Sequence, residues 1–126
     1  MKTIINTNNA PAPIGPYSQA VLAGNLLFIS GQIPLDAKTG ELTLTDIAAE
    51  TKKVMENLKA ILTEAGCGFE HIIKTSIFLT DMQSFAQVNE VYGSYFTDNF
   101  PARETVQVSA LPKNVNVEIS AIALKP

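Results

Sequence analysis

The C-terminal third of the chain sets the strongest constraint on the fold. Two runs, about Arg103 to Ala110 and about Val115 to Leu124, alternate valine and isoleucine with Thr105, Gln107, Ser109, Ile122 and Leu124. Neither run therefore has a wholly polar face, and a strand that is apolar on both faces needs cover on both. Upstream, only two stretches have helical periodicity, enough to cover one face of a sheet. The other face is expected to be covered by self-association.

The remaining segments fit around these strands. Thr45 or Asp46 can cap a helix whose apolar positions Ile47, Val54, Leu58, Ile61, Leu62 and Ala65 recur at helical spacing, with Gly66 as its stop. Ile72 to Thr80 has period two and β-branched residues, which predicts a strand. A second helix is predicted from about Ser84 to about Asp98, burying Phe85, Val88, Tyr92, Tyr95 and Phe96. Ser18 to Ser30 reads as a hairpin turning at Ala23, Gly24 and Asn25, with Ser30 and Gly31 ending its second strand. Leu111 to Asn114 is a plausible hairpin turn between the two final strands. The expected order is ββαβαββ, preceded by a short strand near Thr3 to Asn6, with two helices on one face of an α+β sheet.

The 126 residues, 46% of them hydrophobic, suit one domain spanning 1–126 with its own core. A net charge of −3 and a pI near 5.0 argue against a nucleic-acid partner. The single cysteine, Cys67, rules out an intrachain disulfide and suits a reducing compartment. The first ten residues lack the apolar core of a secretory signal, and no run approaches the roughly 20 apolar residues of a membrane span. No membrane association and a cytoplasmic location are expected.

Candidate chemistry gathers on the final strands. Arg103 shares a face with Thr105 and Gln107, and a hairpin centred near Pro112 would bring Glu118 opposite about Gln107, with Thr105 in diagonal reach. A guanidinium can grip a carboxylate through two parallel hydrogen bonds, leaving the glutamate to orient or deprotonate water. The alternative is a structural Arg103–Glu118 ion pair. Asn89, beside the apolar stripe of the second helix, contacts a ligand or braces a loop. Ser30 and Gly31 either let backbone amides approach a ligand or simply form a turn. Tyr17, at the exit of the proline-rich segment Ala10 to Pro16, presents a hydroxyl or packs as an ordinary aromatic. His71 and Cys67 form no cluster with zinc-ligand spacing, and no glycine-rich phosphate loop is present.

The same residues carry a family likeness. Ile14-Gly15-Pro16-Tyr17-Ser18-Gln19-Ala20, Ser30-Gly31-Gln32-Ile33-Pro34, Val88-Asn89-Tyr92, Pro101-Ala102-Arg103, Leu111-Pro112 and Val117-Glu118-Ile119 resemble the RidA (YjgF) family in order and spacing. The resemblance implies a chorismate-mutase-like fold of the bacillus type, assembled as a homotrimer with sites between subunits. It further implies hydrolysis of 2-imino and enamino acids (2-aminoacrylate/2-iminopropanoate and 2-iminobutanoate) to 2-keto acids and ammonia, without metal or organic cofactor. Arg103 would bind the substrate carboxylate, Glu118 would position water, and Tyr17, Ser30, Gly31 and Asn89 would line the pocket. Many members have Arg-Ser-Cys where this chain has Arg103-Glu104-Thr105, so Thr105 alters the pocket and its substrate preference. Two rival functions are a non-enzymatic trimer that binds small carboxylates such as 2-keto acids, and a nuclease or translation inhibitor. The acidic pI and the lack of a histidine cluster count against the latter.

Overall fold

The computed structural model describes residues 1–126. Its strands are β1 (Lys2–Ile5), β2 (Ala20–Ala23), β3 (Leu26–Gln32), β4 (Ile72–Leu79), β5 (Ala102–Gln107) and β6 (Val117–Leu124). Its helices are α1 (Ile47–Glu64) and α2 (Phe85–Gly93). The strands form one mixed sheet in the order β1-β2-β3-β6-β4-β5, with β5 parallel to β4 and every other pair antiparallel.

Local signals place the first elements. The β2–β3 hairpin turns at Gly24, whose φ of 62° glycine adopts without cost. Asp46 caps α1 by accepting a hydrogen bond from the Ala49 amide, and Gly66 follows the helix at φ 77°. Val54, Met55, Leu58, Ile61 and Leu62 of α1 are at most 1% exposed and pack against the sheet face that carries Leu27, Ile77, Leu79, Val117, Ile119 and Ala123. Burying each such side chain contributes about 1.5–3 kcal/mol. Polar residues on the same inward side of α1 hold loops in place. Asn57 donates to the Ile33 and Leu35 carbonyls, and the Glu50 carboxylate accepts from the Asn116 backbone and side-chain amides.

The structure corrects the sequence reading in four places. The final two strands do not pair: β6 lies between β3 and β4, while β5 is the sheet edge beside β4. Burial decides this arrangement. Val117, Ile119, Ala121 and Ala123 are all buried on the helix-covered face, which suits an interior slot, whereas β5 carries Arg103, Glu104 and Gln107 and tolerates an edge. Helix α2 stops at Gly93 rather than near Asp98. Beyond it the Tyr95 and Phe96 amides bond three residues back, so their rings still reach the core from a tight turn. Phe85, expected to be buried, opens α2 at 38% exposure. Finally, Ser30 and Gly31 do not end β3, which runs on to Gln32 with a register shift against β6 between Ile29 and Gln32.

The second sheet face receives no cover from the helices. Phe28, Val106 and Leu124 stand on it at 44%, 40% and 43% exposure, together with Phe78 and Ile122. No helix is long and apolar enough to cross a membrane.

Candidate active site

Arg103 sits near the start of the edge strand, paired with Thr75, and its side chain lies on the helix-covered face. Its Nη1 donates to Asn89 Oδ1 at 2.6 Å. The guanidinium carbon lies 5.6 Å from the centre of the Phe85 ring and 5.2 Å from that of Tyr92, within cation–π range. The Tyr92 hydroxyl is in turn hydrogen-bonded to Thr75 Oγ1 at 2.7 Å, and burial pushes its ionisation upward. Asn89 is thus a brace for Arg103. Phe85, Asn89 and Tyr92 follow one another at helical i, i+4, i+7 spacing, so α2 presents them as one wall. The sequence reading took Phe85 and Tyr92 as core residues only. An amide lodged between two aromatics on the same helical face was the available signal.

This fixed arginine borders an open cleft of about 470 Å³, lined by Asn89, Tyr92, Gly93, Phe100, Pro101 and Arg103. One guanidinium nitrogen is committed to Asn89, and the rest of its donor fork is free for a carboxylate. Thr105, two residues along the same face, has a buried hydroxyl oxygen without a hydrogen-bond partner. Glu104 points the opposite way, held by Lys74 at 3.0 Å and by the Ser76 hydroxyl, which together keep its carboxyl below the ordinary range. It leaves Arg103 free.

Glu118 does not meet Arg103 within one chain. It pairs with Phe78, and its side chain projects from the uncovered sheet face. Strand β4 separates β5 from β6, a lateral gap of about 10 Å before the opposed faces are considered. The expected convergence of Arg103, Thr105 and Glu118 on one face therefore fails, because it rested on the β5–β6 hairpin. The alternative ion pair is also absent: the salt bridges are Lys53–Asp36 and Lys74–Glu104.

Glu118 instead stands against the irregular part of β3. A Cβ on Gly31 would overlap its carboxylate, coming within 2.8 Å of Cδ. Gly31 thus makes room for this acid. Ser30 is used structurally, its hydroxyl donating to the Ser18 carbonyl at 2.6 Å. Tyr17, half exposed, borders with Gly31 a small recess of about 30 Å³. No hydrogen bond reaches the Glu118 carboxylate, and burial raises its ionisation above the ordinary 4.5.

This shift has a definite consequence for stability. A carboxyl raised in the folded state favours folding while protonated, and that benefit is lost as pH rises through the raised value. Glu118→Gln should therefore leave the melting temperature unchanged or higher at pH 7, with any advantage fading as the pH falls through the raised value and gone below 4.5. A loss of stability at pH 7 would instead reveal a structural charge partner.

His71 and Cys67 are occupied elsewhere. His71 Nδ1 accepts the Gly68 amide at 2.9 Å, and Cys67 is buried, which raises its thiol. No three histidine, cysteine or acidic side chains gather as a metal-holding group.

Comparison with known proteins agrees with this architecture. Residues 7–125 match the family described as endoribonuclease L-PSP. A RutC family protein of Pyrococcus horikoshii is 57% identical over 99% of both chains. The human protein named 2-iminobutanoate/2-iminopropanoate deaminase is 46% identical over 99% of this chain and 91% of its own. Among solved structures, Escherichia coli TdcF with bound serine superposes with a TM-score of 0.94 at 44% identity, covering 98% of this chain and 99% of that one. With the matched segment including both the Arg103 and the Glu118 sides of the sheet, the chain belongs to the endoribonuclease L-PSP family, the RidA family that its motifs resemble.

Proposed function

We propose that this protein hydrolyses 2-imino acids and their enamine tautomers to 2-keto acids and ammonia, at sites completed between neighbouring copies of the chain. The observation that carries this reading is the separation of the two charged groups. An arginine held ready in an open cleft and an acid that ionises late occupy opposite faces of one sheet. A small substrate can touch both only where the arginine side of one copy meets the glutamate side of another. Such a contact joins two different surfaces, and rotation closes it into a ring, here of three copies, as the RidA likeness implies. The uncovered apolar face supplies the surface for this assembly. Each copy is taken as one domain, and the name of the human relative supports the chemistry.

In this scheme Arg103 grips the substrate carboxylate, with Asn89 and the flanking rings fixing its plane. Tyr17, Gly31 and Thr105 line the site, and Ser30 holds its backbone. 2-Aminoacrylate takes a proton at its methylene carbon and gives one up from its nitrogen to become 2-iminopropanoate. A water held by Glu118 adds to the imine carbon, giving up a proton as the nitrogen gains one. The resulting carbinolamine expels ammonia and leaves pyruvate. Orientation and proton transfer carry the reaction, and no covalent bond to the protein forms.

The test is release of pyruvate or 2-ketobutyrate from freshly generated imine, with semicarbazide trapping the uncatalysed remainder. Acceleration by the wild-type assembly supports deamination. Binding of 2-keto acids without acceleration leaves the carboxylate-binding trimer in its place, a role that fits the serine bound to TdcF.

A further inference from the structure

The segment that carries Tyr17 cannot hold itself in place. Pro11, Pro13 and Pro16 lack amide protons, so the strap between β1 and β2 has carbonyls to satisfy and few donors of its own. One buried side chain meets that need. Gln19, 3% exposed, donates through Nε2 to the Thr7, Ala10 and Pro11 carbonyls at 3.0, 3.2 and 2.9 Å, and its Oε1 accepts the Thr7 amide at 2.7 Å.

The other end of the strap is tied at the same residue. The Gln19 carbonyl accepts the Ser30 amide at 2.9 Å, next to the bond from the Ser30 hydroxyl to the Ser18 carbonyl. Between the two ties, Ala12 to Tyr17 has only bonds within itself, from the Tyr17 amide to the Gly15 carbonyl and from the Ile14 amide to the Tyr17 hydroxyl. Tyr17, Gln19 and Gly31 border the same recess, and Gly31 is where Glu118 rests.

We propose that Gln19 is a positioning residue: its side chain holds the Thr7–Pro11 end of the proline strap next to the end its own backbone ties to Ser30, and so sets where Tyr17 stands over the recess bordered by Gly31. The proposal rests on the deamination site described above. Gln19 itself touches no substrate and acts through Tyr17. The side chain length is part of the device, since one amide must reach three carbonyls and one N–H at once.

The experiment compares wild type, Gln19→Met, Gln19→Asn and Tyr17→Ala, with the double variant of Met and Ala, all as assembled protein. Methionine keeps length without hydrogen bonds, while asparagine keeps the amide one carbon short and serves if the methionine variant fails to assemble. Hydrogen exchange should rise across residues 7–18 while α1 stays protected. kcat/KM should fall about 10- to 100-fold, the cost of misplacing a site group by about an ångström. In the Tyr17→Ala background the same change should cost less than about twofold, because coupled residues are non-additive.

Unchanged exchange in the strap, or full additivity with Tyr17→Ala, overturns the proposal. If wild type deaminates no imine, the deamination reading fails separately. The same cycle is then read in pyruvate affinity by calorimetry, where non-additivity still supports Gln19 and additivity still overturns it.

Discussion

Glu118→Gln is expected to lower kcat for keto acid release by about 10²–10⁴-fold, the usual contribution of a general acid–base group. KM should change little, because glutamine keeps the shape against Gly31 and leaves the arginine side untouched. The fall reflects chemistry in the transition state: glutamine can hold a water but cannot take its proton. Steady-state kinetics with trapped imine, alongside pyruvate binding by calorimetry, separates the two effects. Pyruvate affinity within about threefold of wild type, with kcat collapsed, is the expected pattern. Equal loss of both would assign Glu118 to ground-state binding.

Arg103→Ala should act on the other parameter. Removing the guanidinium deletes a charge-assisted, two-pronged grip on the substrate carboxylate, and kcat/KM should fall roughly 10²–10³-fold, mostly through KM. Arg103→Lys should recover only part of this loss. An ammonium is a point charge that cannot bond Asn89 and a carboxylate in one plane, and it stacks less well between Phe85 and Tyr92. A lysine variant with wild-type KM would mean that charge alone suffices. Pyruvate titrations of the two variants supply the check, since product and substrate share the carboxylate.

What the sequence revealed follows the range of the interactions involved. The hairpin at Gly24, the Asp46 cap and the Gly66 stop depend on a few neighbouring residues, and each was readable from them. The neighbours of β5 and β6 were not. Their pairing depends on which strand can be buried in the middle of the sheet, a property of the assembled layer. An apparent turn at Pro112 suggested a hairpin, but Lys113 and Asn114 take left-handed φ values of 55° and 57° and lead the chain across β4. That single error moved Glu118 from beside Thr105 to the opposite face.

The candidate residues could be named from the sequence, but the structure groups them differently from the single face expected. Arg103 and Asn89 belong together, as do Tyr17, Gly31 and Glu118, and no chain brings the two groups onto one face. The two apolar faces of the final strands already implied a partner surface. Under the proposed assembly, that surface also brings together the charged groups that lie apart in one chain.

The most direct test of this account is complementation. Arg103→Ala and Glu118→Gln proteins, each nearly inactive alone, are unfolded together in equal amounts, refolded as mixed assemblies and assayed for keto acid release. If each site takes its arginine from one copy and its glutamate from the next, about a quarter of the sites, one half times one half, regain both groups and activity returns to roughly that fraction of wild type. A mixture as inactive as its components would contradict the account, because it would place both groups of every site on the same chain.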